Sequence, residues 1–320
     1  MKKRLHFLIA LVFIFSSCSD FSGNEDAVEA SLKPGPVTNN NNNNDPTRTY
    51  YDLDAITFGN NTFVAVGERG TVRTSSDNGA TWDNGTSGKT TQLYEIAYGD
   101  STFVTVGQSA TNLYSSDNGA TWTSGTTTES SNYYGIANGD NVFAAVGNVN
   151  ILRSTDNGSN WDTVTTGNLR DVAFGNSTFV ACGADGAIET SDDGDNPWGS
   201  RTSGAPGFTL NGITFGNNLF LSVGSSGKLI KSTDNGSSWS NVNSQVSTNL
   251  LSIAYGNNKF VAVGSRTVIA SSNNTGSSFG IKDTTLTFND VTFGNGVFVA
   301  VGYKIIYTST DGDTWTKVYP

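Results

Sequence analysis

One eight-residue pattern constrains this chain more than anything else in it. Ser75-Ser76-Asp77-Asn78-Gly79-Ala80-Thr81-Trp82 returns almost letter for letter at 115–122, 154–161 and 232–239, with looser copies at 190–198, 271–279 and 309–315. An Asp at the head of a tight turn accepts hydrogen bonds from N–H groups ahead of it, and Gly supplies a positive φ without steric cost. Ser or Thr closes the turn locally, and Trp buries a large ring beside the next strand. Asp77, Asp117, Asp156, Asp192, Asp234, Asn273 and Asp311 are therefore read as turn-forming. A calcium loop of the EF-hand type needs further oxygen ligands and a closing Glu, which no copy supplies. Only Asp192-Asp193-Gly194-Asp195 is acidic enough to merit a calcium test; no metal and no cofactor is expected.

Around each turn the chain reads as strands. A first strand ends in an aromatic-Gly pair, as in Ile56-Thr57-Phe58-Gly59, and only the third copy, Ile136-Ala137-Asn138-Gly139, lacks the aromatic. A short polar turn follows, Asn60-Asn61 in the first copy, which is a hairpin signal. The second strand, Phe63-Val64-Ala65-Val66-Gly67, has counterparts ending at Gly107, Gly147, Gly183, Gly224, Gly264 and Gly302. Those glycines stand 40, 40, 36, 41, 40 and 38 residues apart. A period near 40 with four short strands per unit predicts an all-β, seven-bladed β-propeller of four-stranded antiparallel blades over residues 50–320. An open β-solenoid is the runner-up, but no terminal repeat looks like a cap. The last unit ends at its fourth strand and the first begins at its own first strand, so the ring closes by packing with little or no strand exchange.

Residues 1–17 read as a secretory leader: Met-Lys-Lys-Arg, an apolar run from Leu5 to Phe15, then Ser16-Ser17 before Cys18. Residues 18–49, with six Asn from Asn39 to Asn44, read as a disordered tether. Removing the leader leaves 15 basic against 28 acidic residues, a net charge of −13, which argues against nucleic acid as a partner. It also removes His6, the one histidine. Ser-His-Asp and Cys-His catalysis and His-built zinc sites are thereby excluded. Cys182 falls where sister strands carry Val and reads as a small buried hydrophobe.

The repeated Ser-x-Asp-x-Gly-x-Thr-Trp resembles the Asp-box (BNR) repeats of sialidase-like propellers. The longer run, with Ile-Ala-Tyr-Gly and Phe-Val-Ala-Val-Gly, is similar to photosystem II assembly and stability factors, over residues 51–320. The leader ending at Cys18 resembles a bacterial lipoprotein signal, although Phe15 stands where Leu is commoner. That resemblance implies lipidation of Cys18, and Ser19 after it implies the outer membrane, on the periplasmic face or the cell surface. Sialidases use an arginine triad, a Tyr–Glu pair and an Asp. Here the Arg-Ile-Pro signature is missing, and Tyr94-Glu95 are strand neighbours expected to face opposite ways. Glu95, Asp171 and Asp290 share one position on first strands and are expected to converge at the channel mouth, where they are solvated.

The resemblance admits hydrolases, receptors and assembly factors alike. A monomeric, non-enzymatic scaffold for a protein partner is the first reading, with no catalytic residues assigned. A carbohydrate-binding adhesin is the alternative, and a sialidase-like hydrolase ranks third. Binding is expected on the face opposite the Asp-box turns, through Tyr94, Tyr134, Arg170 and Asn211 at the starts of first strands, and Arg69 and Arg266 in loops. For the anchor, the full chain is expected in the membrane fraction and a Cys18→Ser variant in the soluble fraction. Equal membrane recovery of the two contradicts lipidation at Cys18.

Overall fold

The computed structural model describes residues 51–195, 197–271, 274–283 and 285–319. The leader, the tether with Cys18, and Asn273 lie outside the described residues. Seven four-stranded antiparallel meanders follow one another in chain order, at 53–86, 93–124, 133–166, 169–201, 210–241, 250–283 and 290–319. This is an all-β, seven-bladed propeller. Among the described residues, no sheet borrows a strand from another blade.

Blade 1 serves as the pattern, with inner strand Leu53–Gly59, second strand Thr62–Gly67, third strand Thr71–Ser75 and outer strand Asp83–Thr86. Asn60 and Asn61 have φ of 42° and 61°, and two consecutive positive values make the I′ turn that suits the twist of a hairpin. The second strand has a blade on each face, so both faces are dry. Its residues Phe63, Val64, Ala65 and Val66 are accordingly all buried, which is why it reads as an unbroken apolar run.

The inner strands pack through their closing glycines. A Cβ on Gly59 would lie 2.0 Å from the Tyr98 ring of the next blade. The same relation joins Gly139 to Phe174, Gly175 to Phe215, Gly216 to Tyr255 and Gly256 to Phe293. Gly99 receives Asn138, the one non-aromatic member, and Gly294 receives Phe58 of the first blade. The circuit is closed. At the same seam Leu53, Ile56 and Phe63 share a core with Val299, Val301 and Ile306, and Asn289 Nδ2 donates to the Leu53 carbonyl at 2.9 Å.

Each Asp-box turn is a small network of side chain and main chain. In blade 1, Ser75 Oγ donates to Asp77 Oδ1 (2.8 Å) and accepts from the Gly79 N–H (3.0 Å). The Thr81 N–H and hydroxyl donate to the two Asp77 oxygens at 2.9 and 2.6 Å, and Trp82 Nε1 donates to the Gly79 carbonyl. Asp117, Asp156 and Asp234 repeat it, with Asn160 and Ser238 in the place of Thr81 in the last two. The tryptophans pack backward rather than beside the next strand: Trp82 joins the core shared with blade 7 and Trp122 the one shared with blade 1. In blade 4 the expectation for Asp192 is corrected. Phe179 pairs with Ser191, which puts Asp193 level with Asp77, and Asp193 Oδ1 accepts from Ser191 Oγ (3.3 Å) and from the Asp195 N–H (3.0 Å). The turn here is one residue shorter before its glycine, as in blade 7, where Asp311 takes its expected place beside Gly312.

These contacts make two predictions. Gly294→Ala drives a methyl into the Phe58 ring and is expected to cost about 1–3 kcal/mol, with a less-than-additive double variant Gly294→Ala/Phe58→Ala. Additive costs in denaturant unfolding contradict the contact. The second concerns acid. Asp77 is lowered to about 2, first by the Thr81 hydroxyl, then by the Thr81 N–H and the Ser75 hydroxyl. Asp311 is lowered to about 2, first by the Thr314 N–H and then by the Asp313 N–H. Folded values below the unfolded one mean stability that is complete above the ordinary carboxylate pKa and lost as pH falls through the folded value. The melting temperature is thus expected to hold down to about pH 4 and fall between about pH 4 and 2. Asp77→Asn/Asp311→Asn should shrink that fall, and an unchanged fall contradicts the assignment.

Candidate functional site

The hairpin turns and Asp-box turns share one face, as the bond from Asn60 Nδ2 to Asn118 Oδ1 (2.8 Å) between blades 1 and 2 shows. The opposite face carries the turns between second and third strands and the connections between blades. A channel cavity lies among the inner strands, and all seven blades contribute to its lining.

The inner strand starts are built on a β-bulge. In six of the seven blades the register slips around the second residue, for example between Leu93 and Glu95. The slip breaks the simple alternation expected for Tyr94 and Glu95. Tyr94 lies against Tyr134 of blade 3, ring centroids 5.3 Å apart and tilted by 46°, while Glu95 lines the channel. On the far side of Tyr134, the Arg170 guanidinium of blade 4 stands 4.7 Å from the ring centroid. Tyr94, Tyr134 and Arg170 are thus brought together as a stack across three blades. Arg170 is 1% exposed and Tyr134 5% exposed, so the stack is an internal feature of the channel wall with Tyr94 as its half-buried end. Burial pushes the Tyr94 phenol up to about 12, with the Tyr134 phenol and the Asp54 carboxylate adding to it.

Asn211 follows in blade 5, buried, donating from Nδ2 to the Leu250 carbonyl of blade 6 at 2.9 Å. Asn289 makes the same bond across the closing seam, so the role of Asn at this position is to hold the next inner strand. Arg69 and Arg266 do not join the stack. They stand exposed at the tips of separate turns in blades 1 and 6, with φ of 56° and 53°, and Arg69 lies 5.8 Å from the Tyr51 ring centroid.

Glu95, Asp171 and Asp290 do reach the channel, lining a cavity of about 220 Å³ together with Ser252. Their role differs from solvation of its mouth. Asp171 accepts the N–H of Val172 and, across the blade boundary, that of Ile213, both at 2.8 Å. Asp290 accepts the N–H of Val291 (2.8 Å), the Ser252 hydroxyl, and the N–H of Ile56 in blade 1 (2.7 Å). The bulge turns inner-strand N–H groups toward the channel, and a carboxylate from the neighbouring blade takes them. Gly135 is part of this arrangement: a Cβ there would lie 2.6 Å from Asp171 Cα. Among the described residues, no three metal-ligating side chains gather, and Asp192, Asp193 and Asp195 stand exposed.

With the geometry in hand, comparison with known proteins yields structures only. No protein-family model matches the chain, and no curated protein does. YCF48 from Cyanidioschyzon merolae superposes with a TM-score of 0.65 at 17% identity, over 81% of this chain and 95% of that one. The chain shares the YCF48 fold. YCF48 bound to D1 peptide gives a TM-score of 0.65 at 18% identity, covering 80% and 92% of the two chains. PorZ, a bacterial surface component of the type IX secretion system of Porphyromonas gingivalis, gives 0.65 at 12% identity over 85% of this chain and 38% of its own.

The stack generates a prediction. A double-mutant cycle with Arg170→Met and Tyr134→Leu should give a coupling of about 0.5–2 kcal/mol in denaturant unfolding, as for a desolvated cation over a ring. Additivity contradicts a stack that acts as a unit.

Proposed function

We propose that this chain is a non-enzymatic binding or assembly scaffold, held by a lipid on Cys18 at the outer membrane or cell surface. It recognises a protein partner through the face that carries the second-to-third-strand turns and the blade connections. The observation that carries this reading is the use of the channel carboxylates. Asp171 and Asp290 hold main-chain N–H groups of neighbouring blades, so the groups best suited to acid–base work are the ties of a rigid ring. Such a ring presents its loops in fixed relation, the arrangement on which recognition of an extended partner depends. YCF48 bound to D1 peptide supports it as a propeller of the same architecture with a peptide partner, and PorZ, which shares the fold, is itself a bacterial surface component.

The carbohydrate-binding reading has less to stand on. Tyr134 is covered by Tyr94 on one side and Arg170 on the other, which leaves Tyr94 alone to stack on a sugar. A sialidase-like hydrolase would require Glu95, Asp171 or Asp290 to face a substrate, and all three accept main-chain N–H groups, Glu95 that of Ile96 at 3.1 Å.

Cross-linking of the full chain in its native envelope tests the reading. A defined protein partner is expected, with recovery reduced at least about fivefold by Arg69→Glu/Arg266→Glu on the loop face. Asn61→Asp/Asn218→Asp on the hairpin face should leave recovery unchanged. Loss of the partner only with the hairpin-face pair, or a glycan bound saturably in its place, contradicts the proposal.

A further inference from the structure

Four blades make the turn between second and third strands in the same way, as a single tight three-residue turn: Glu68–Gly70, Gln108–Ala110, Ala184–Gly186 and Ser225–Gly227. In blades 1, 4 and 5 the turn ends in glycine with φ of 68°, 72° and 72°. In those blades the chain leaving the outer strand folds back over that glycine as a hook. Ser87 donates its N–H (3.1 Å) and its hydroxyl (2.8 Å) to the Gly70 carbonyl, and the Ser244 hydroxyl donates to the Gly227 carbonyl at 2.6 Å. Two residues on, the carbonyls of Lys89, Ala205 and Val246 pass 2.2, 2.3 and 2.0 Å from where a glycine Cβ would stand. All three hook serines, Ser87, Ser203 and Ser244, are buried.

Blade 2 has the turn and lacks the hook. Its outer strand is only Thr123–Ser124, after Gly125 the chain leaves for blade 3, and it comes back to the turn only at Ser131, whose carbonyl accepts the Ala110 N–H at 2.6 Å. Thr126 accepts the Trp161 N–H and donates to the Ser159 carbonyl, and Glu129 accepts from Asn150 Nδ2 and Thr163 Oγ1, both at 2.6 Å. A cavity of about 400 Å³ remains between Ser109, Thr111 and Asn112 on one side and Gly125, Thr127 and Glu129 on the other.

The residues around this slot have changed in step with the missing hook. Ala110 replaces the glycine while keeping a positive φ of 54°. Asn112 occupies the register position held by Val72, Ile151, Ile188, Leu229, Val268 and Ile306 in the other six blades. Its Nδ2 donates to the Ala110 carbonyl at 3.0 Å, standing in for the serine, and its buried Oδ1 has no hydrogen-bond partner. A buried amide oxygen without a donor costs on the order of 1–3 kcal/mol, a cost that a bound donor would relieve.

We infer that the blade 2 slot is a binding site for an extended peptide segment of a partner protein that carries a Ser or Thr beside small residues. That segment completes the blade from outside, as the hooks of blades 1, 4 and 5 do from within. Its hydroxyl and N–H donate to the Ala110 carbonyl and Asn112 Oδ1 as Asn112 re-orients. The Ala110 methyl holds the segment further out than an internal hook, so exchange is possible. The inference deepens the protein-binding reading above and rests on it for the identity of the partner.

The probe is a fluorescent, end-blocked peptide Asn-Gly-Thr-Ser-Gly-Lys, copying residues 84–89, titrated against the full chain with anisotropy as readout. Saturable binding is expected, weakened about tenfold when the peptide Ser becomes Ala and about tenfold in Asn112→Val, which carries the apolar residue of blade 1. Ala110→Gly, which removes the obstructing methyl, should tighten it about fivefold. A merely structural role for Ala110 and Asn112 moves none of these values. No saturation at millimolar peptide, or binding unchanged by both substitutions, overturns the inference. A native partner retained in full by Asn112→Val also overturns the slot while leaving the scaffold reading standing. Peptide binding that follows the three predictions, in a chain with no loop-face partner, upholds the slot and sinks the scaffold reading.

Discussion

The contact on which the rest depends is a ring laid flat on a glycine. Seven times an inner strand ends in glycine, and six times the side chain that covers it is an aromatic from the next blade. Any larger residue in place of the glycine would collide, and any smaller one in place of the ring would leave a void, so the contact fixes the spacing between blades. Because Gly294 receives Phe58 by the same rule, the last blade meets the first as any neighbour meets the next. Closure needs no exchanged strand, and the channel carboxylates and the Asn side chains of the inner strands add directional ties on top of that packing.

The architecture was legible because its signals are local. A hairpin turn, an Asp-box turn and a buried second strand each depend on residues within about ten positions, and the sequence pattern of each recurs seven times. What escaped the sequence depended on register or on a neighbour. Asp192 and Asp193 are adjacent acids, and only the pairing of Phe179 with Ser191 shows which one closes the turn. The tryptophans had an obvious need for burial, but nothing in the motif says they pack onto the preceding blade. Glu95, Asp171 and Asp290 were placed together at the channel, yet the bulge that turns N–H groups toward them carries no composition signal. Tyr94, Tyr134 and Arg170 lie together across three blades, and their depth depends on neighbouring blades that no single repeat encodes. Asn112 could have been found, since it is the one polar residue in its column of seven.

The functional picture follows from which polar groups the fold already employs. Most of the conspicuous ones, the Asp-box carboxylates and the three channel acids, hold main chain in place. The asymmetry lies elsewhere, in loops that differ from blade to blade: exposed arginines at two tips, and one blade whose closing segment has been diverted to its neighbour. Among the four blades that share the three-residue turn, the one that lacks the hook of the other three marks the part to test.

The most direct measurement is amide hydrogen exchange of the full chain with and without the protein partner proposed for it, captured by cross-linking. The account predicts added protection on the loop face, centred on Gln108–Ala110 and the flanking turns, Glu68–Gly70 of blade 1 and residues 148–149 of blade 3, with the hairpin turns unchanged. Protection confined to the hairpin and Asp-box face would contradict it.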